Sequence, residues 1–179
     1  MNKLYMVRHG QTDWNVNGII QGSTDIELNG EGIRQAKELA MNIDLSKIDV
    51  CISSPLKRAR KTAEILTSGN KEIIYDDLLV ERSFGDYEGK KMNFDLLSLH
   101  CDYNLNDSSN NIESIRDCLL RAKIFLNKIK ENYPDKSILI VSHGCLIKAL
   151  HFNILGYDTN TDFLSFNPMN TTLYTYDLE

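Results

Sequence analysis

Leu4-Tyr5-Met6-Val7-Arg8-His9-Gly10 is a short apolar run that stops at a basic residue, a histidine and a glycine. Ser137-Ile138-Leu139-Ile140-Val141-Ser142-His143-Gly144 repeats that shape near the other end of the chain. Apolar runs of this length, bounded by turn formers, read as strands buried on both faces. Outward from them, strand and helix signals alternate. A helix starts at Asn29, which can cap it, and carries Ile33, Ala36, Leu39, Ala40 and Ile43 at helical spacing. Residues 50–52 centre a second strand. Ser54-Pro55 opens a helix to about residue 67, with Ser54 as cap and Pro55 at the first helical position. A third strand is expected at 72–75 and a helical stretch at 92–100. Residues 101–111 read as a loop, because Asp102, Asn104, Asn106, Asp107 and Asn110 crowd it. Ile112, Ile115, Leu119, Ala122, Leu126 and Ile129 form one face of a long helix that stops before Pro134. A helix over 145–155 and a last strand over 172–176 complete the order. The class is α/β: a three-layer arrangement with a mostly parallel central sheet flanked by helices. No linker-like shift in composition interrupts 1–179, so one domain is expected, with a small cap-like segment at about 92–111.

The bulk numbers agree with a self-sufficient core: 179 residues, 42% hydrophobic and 25% charged. A net charge of −5 argues against a general nucleic-acid binder. Cys51, Cys101, Cys118 and Cys145 form no C-x-x-C pair and no zinc spacing. The N-terminus has no signal-peptide shape, and no apolar run approaches the roughly 20 residues a membrane span needs. The expectation is a cytoplasmic protein with reduced thiols, no membrane and no nucleic-acid partner. The Asn-x-Ser/Thr triplets at Asn106 and Asn170 are then chance matches. The oligomeric state is not readable.

In open α/β sheets, ligands bind beyond the carboxyl ends of the strands. His9 and His143 should share that edge, each followed by a glycine that lets a ligand approach the backbone. His100 and His151 lack this context and read as structural. A second signal is electrostatic. Lys57, Arg58, Arg60 and Lys61 stand near the N-terminus of their helix, where each cation costs about 0.3–1 kcal/mol against the dipole. A bound anion would explain a cation there, and Arg58 can lean back toward the strand edge. The other three read as a solvated face. Glu81, before a Gly-containing turn, is by itself a weak loop acid.

Competing chemistries fail. There is no G-x-S-x-G elbow. A cysteine phosphatase needs five residues between its Cys and Arg, and Cys51 and Arg58 have six. The stretch from Gly85 to Lys90 is one residue short of a phosphate loop and lacks its Ser or Thr.

Arg8-His9-Gly10-Gln11-Thr12 with Asn15 resembles the R-H-G-x-T-x-x-N signature of the histidine phosphatase superfamily, the phosphoglycerate mutase-like family. Gln21-Gly22 to Asp25, Leu28, Gly32 and Gln35-Ala36 follow that family's next block. Ser53-Ser54-Pro55-Leu56-Lys57-Arg58-Ala59 is similar to S-S-P-L-x-R-A, Glu81 to Gly89 to E-x-x-x-G-x-W-E-G, and Ser142-His143-Gly144 to the late S-H-G. The chain departs at Tyr87 (often Trp), Cys145 (often Gly) and Lys148 (often Arg). The resemblance implies a phosphoglycerate mutase-like fold, no metal and no cofactor. It implies that His9 attacks the phosphoryl group, that Arg8, Arg58 and His143 surround its oxygens, and that Glu81 is the general acid and base. Asn15 would donate to the phosphate. Thr12, Gln21, Gly22 and Gly144 would complete the pocket for a small phosphorylated metabolite. Family members include phosphatases, mutases and some inactive proteins. Mutases need extra cations for a second acidic group. The segment 88–111 is short, and 101–111 has no Lys or Arg, which favours phosphatase; Lys90 and Lys91 keep the mutase alternative open. Loss of Arg8, His9, Arg58, Glu81 or His143 would have pointed to a silent phosphate-binding domain, and none is lost.

Overall fold

The two apolar runs lie side by side. In a computed structural model, which describes residues 2–178, β1 (Asn2–Arg8) and β4 (Ile138–Ser142) pair in parallel. Val7 stands opposite Val141 and Arg8 opposite Ser142. β2 (Val50–Ser53) pairs with the other side of β4, and β3 (Ile73–Tyr75) pairs with β2, both parallel. β5 (Leu173–Leu178) closes the opposite edge antiparallel to β1. The order is β3-β2-β4-β1-β5.

Successive side chains on a strand point to opposite faces, and here both faces are covered. Leu4, Met6, Ile138 and Ile140 face α5 (Ile115–Asn132) and α6 (Gly144–Leu155), meeting Leu119, Phe125, Leu146 and Leu150. Val7, Cys51, Leu139 and Val141 face the other way, onto Ala59, Ala63 and Leu66 of α3 (Lys57–Thr67), with Leu39 of α2 (Gly30–Asn42) alongside. Every residue of β4 is buried. This accounts for its unbroken apolar sequence and for the expected three-layer α/β architecture.

Asn29 caps α2 as expected, accepting the Gly32 N–H at 2.8 Å. The α3 start is a correction. Ser54 is not its cap: the helix begins at Lys57, with Leu56 at the cap position and no side-chain cap of its own. The carboxylate of Asp25, distant in sequence, takes the Lys57 N–H at 2.7 Å. A short helix that the sequence pattern did not announce, α1 (Asp13–Val16), follows the His9 loop. In the 92–111 stretch, α4 (Phe94–His100) is followed by a loop ending in a single 3-10 turn, Ser109–Asn111. Among the described residues, no helix is long and apolar enough to cross a membrane.

Candidate active site

Because β1 and β4 run in parallel and in register, they deliver their histidines to one place. The rings of His9 and His143 have centroids 5.1 Å apart, and the His9 N–H donates to the Ser142 carbonyl at 2.9 Å. His9 Nδ1 lies 2.7 Å from the Gly10 carbonyl. A carbonyl only accepts, so the proton rests on Nδ1 and the lone pair on Nε2. Burial holds the imidazole well below the usual histidine pKa, and the charges of Arg58 and Arg8 push the same way. His9 is thus a neutral base with Nε2 unprotonated at neutral pH.

His143 has the opposite arrangement. Its Nε2 meets Ser54 Oγ at 2.8 Å, while Nδ1 is buried without a partner. Ser54 Oγ accepts the Leu56 N–H at 3.3 Å, and its own hydrogen is available to Nε2, an arrangement that would place the ring proton on Nδ1. Burial, then Arg58, keep this imidazole neutral too.

Arg58, the second residue of α3, is fully buried. Its Nη1 and Nη2 donate to the carbonyls of Thr24 and Gly22, each at 2.7 Å, and its Nε has no partner. Desolvation lowers it to a pKa of about 10, still a cation at neutral pH. The other three cations of that helix are exposed and pair with Glu27 or Glu64, as a solvated face would. Arg8 donates through Nη1 to the Pro168 carbonyl at 2.8 Å, and its Nε is likewise unpartnered. Asn170 is not idle: its amide donates to the His9 carbonyl at 2.6 Å.

Glu81 sits at the first turn of α6. Its carboxylate accepts the N–H groups of Cys145 and Leu146 at 3.1 Å, which complements the positive end of the helix. Arg121 secures the approach to Glu81 by donating to the carbonyls of Leu78 and Val80 while it pairs with Glu113 at 2.7 Å. No pattern in the sequence marked Arg121 for this.

Glu88 was part of a motif but carried no expected role. Its carboxylate accepts from Ser23, Thr24 and Phe84 main-chain N–H groups. It thereby holds the turn whose carbonyls grip Arg58. Gly22 has φ +51°, and a Cβ there would collide with the Glu88 carboxylate, so glycine is required. Gly10 is a different case. A Cβ on it would run into the Gly32 carbonyl, so its bareness admits α2 rather than a ligand, contrary to the expectation from sequence.

A cavity of about 140 Å³ is lined by His9, Arg8, Arg58 and Glu81 together with Asn15, Gln21, Gly22 and Gly144. His143 and Thr12 do not line it. Thr12 is fully buried and caps α1. Its hydroxyl donates to Asn15 Oδ1 at 3.1 Å, which turns the Asn15 amide nitrogen outward as a spare donor. A larger cavity of about 650 Å³, near Lys123, Asn153 and Tyr176, gathers none of these groups. Chemistry rather than volume locates the site. Among the described residues, no three His, Cys, Asp or Glu side chains cluster as a metal site would require.

Residues 4–179 match the model of the histidine phosphatase superfamily, branch 1. The chain is 38% identical over 159 residues to the uncharacterized phosphatase PhoE of Bacillus subtilis, covering 88% of this chain and 80% of that protein. It is 31% identical over 186 residues to phosphoserine phosphatase 1 of Hydrogenobacter thermophilus, covering 100% and 88%. In three dimensions it is similar to a mutant phosphoserine phosphatase from Entamoeba histolytica in complex with phosphoserine, with a TM-score of 0.85, 34% identity, and 100% and 92% of the two chains covered. With its two strand-end histidines, its two arginines and this match along its length, the chain belongs to the histidine phosphatase superfamily and has the phosphoglycerate mutase-like fold.

Proposed function

We propose that this chain hydrolyses small phosphate monoesters without a metal, through a phosphohistidine on His9. The observation that carries the reading is a set of orphaned donors. Arg8 Nε, Arg58 Nε and His143 Nδ1 are all buried without a protein partner, and all belong to residues around the His9 ring. Buried polar groups are nearly always satisfied, and a phosphoryl group on His9 would satisfy these. In the first step the Nε2 lone pair forms the N–P bond, the P–O bond to the alcohol breaks, and Glu81 gives that oxygen a proton. In the second, Glu81 takes a proton from water, the hydroxyl bonds to phosphorus, and the N–P bond returns its electrons to His9. Arg8, Arg58, His143 and the Asn15 amide offset the charge on the transferring oxygens, which is most of what phosphoryl transfer asks of a protein.

The relatives named as phosphatases support hydrolysis. A cavity of about 140 Å³ is well below the roughly 300–1,000 Å³ of ordinary ligand pockets, which favours a small ester. Met92 and Leu97 line it, which supports the 92–111 segment as a cap over the substrate. Four free thiols suit a cytoplasmic setting. The mutase alternative is weakened because Lys91 donates to the Asn17 carbonyl and Lys90 stands over the Tyr87 ring, and neither lines the cavity.

Incubation with 3-phosphoglycerate, assaying free phosphate and 2-phosphoglycerate in parallel, tests the reading. Phosphate should dominate and EDTA should leave its release unchanged. Isomer formation outpacing phosphate release would overturn the phosphatase preference, and strong inhibition by EDTA would overturn the metal-free mechanism.

A further inference from the structure

One charged group in this cavity has no part in the mechanism above. Lys148 is the single charged side chain in the α6 sequence Gly-Cys-Leu-Ile-Lys-Ala-Leu-His-Phe-Asn-Ile-Leu. It lies four residues after Gly144, and positions i and i+4 share a helix face. Both line the cavity that holds His9 and Glu81. Lys148 is 7% exposed, yet among the described residues its ammonium has no hydrogen bond or ion pair. Glu81 does not neutralise it, being taken up by the Cys145, Leu146 and Arg82 N–H groups. Nor does Glu88, which is committed to the Ser23–Thr24 turn. A lysine with so little exposed surface is ordinarily paired, and here the residue faces the cavity.

We propose that Lys148 receives a carboxylate of the substrate, so that the preferred substrate is a short phosphate monoester that also bears a carboxylate. This rests on the phosphatase reading and adds a specificity residue to it. The nature of the anion follows from charge and shape. Arg8 and Arg58 stand with His9 at the phosphoryl end. Lys148 adds one compact charge and three donors, without the fork that suits bidentate grip on a second phosphate. A carboxylate carries one negative charge and matches it. Four residues of helix rise about 6 Å. That separates Lys148 from the Gly144 end of the site by the span of a two- or three-carbon ester. Ile20, Phe84, Met92 and Leu97 supply an apolar wall for that spacer. A nucleotide would not fit about 140 Å³, and a simple sugar phosphate would leave Lys148 unpaired.

The test compares 3-phosphoglycerate with glycerol 1-phosphate, which has the same skeleton but a hydroxymethyl group in place of the carboxylate. Phosphate release is measured for wild type, Lys148→Met and Lys148→Arg. Wild type should favour the carboxylated ester by roughly tenfold or more in kcat/KM, as expected for a hydrogen-bonded charge pair. Lys148→Met should reduce that ratio at least about tenfold, chiefly through KM, and Lys148→Arg should retain most of it. An equal loss on both esters, a fall in kcat alone, or a preference that survives Lys148→Met would each overturn the assignment. Failure of the phosphatase reading looks different: wild type would then release phosphate from neither ester, and the inference would fall with it.

Discussion

The ends of β1 and β4 carry nearly the same four residues, Val-Arg-His-Gly and Val-Ser-His-Gly, and they present different nitrogens. His9 binds its own neighbour's carbonyl through Nδ1 and leaves Nε2 unprotonated toward the cavity. His143 binds Ser54 through Nε2 and keeps Nδ1 as a buried, unpartnered group outside the cavity lining. The chains also diverge after the glycines. Gly144 starts α6 at once, and that helix start holds Glu81. Gly10 instead leads through Gln11 to the Thr12 cap of α1, close against α2. Two similar strand ends therefore supply different parts. In the proposed mechanism one offers the nucleophile, and the other offers a proton donor and a seat for the general acid. The hydrogen-bond partner of each ring, rather than its place on the strand, sets the difference.

Exchanging the treatment of the two histidines gives the largest contrast. His9→Ala should lower kcat by about 10⁴-fold or more, as loss of a nucleophile does. His143→Ala should lower it by about 10²–10³-fold, as loss of one donor to the transition state does. Both are read by phosphate release, with circular dichroism confirming the fold, and equal losses would erase the distinction. Ser54→Ala removes the 2.8 Å contact to the His143 ring and the longer 3.3 Å acceptor for the Leu56 N–H. At about 0.5–1.5 kcal/mol for the bond to the ring, it should slow turnover by up to about tenfold while leaving KM near its wild-type value. The smallest effect is on stability. His9 and His143 are held below the usual histidine pKa, and so, more weakly, are His100 and His151, all by burial first. The folded state then binds fewer protons than the unfolded one. Stability is full above about pH 6.5 and is lost as pH falls through the depressed folded-state values. The Tm should drop between pH 6.5 and 5 by a few degrees, at about 2–4 °C per kcal/mol. His143→Asn should lessen that drop, and a flat Tm over this range would contradict the assignment of neutral buried rings.

What was legible in the sequence was local. The strand-helix alternation, the Asn29 cap and the two histidines at strand ends all follow from neighbours within a few residues, and the fold reproduces them. What was not legible depends on partners far apart in the chain. Ser54-Pro55 looks like a helix start, yet its hydroxyl serves His143, 89 residues away, and the cap of α3 comes from Asp25. Arg58 shared its opposition to the helix dipole with Lys57, Arg60 and Lys61, and the resemblance of Ser53 to Ala59 to S-S-P-L-x-R-A singled it out. The carbonyls that orient it come from a turn held by Glu88, and only the fold brings these together. Lys148 was visible as a departure from a motif, but its burial beside Glu81 and His9 depends on the packing of α6 against the sheet edge.

The central claim is that phosphate passes through His9. Brief mixing with a phosphate monoester, alkaline quenching to preserve phosphohistidine and peptide mass spectrometry test it directly. The prediction is a phosphate adduct on His9 in the wild type and none in His9→Ala. An adduct on His143, or steady turnover with no trapped adduct under conditions that preserve phosphohistidine, would contradict it.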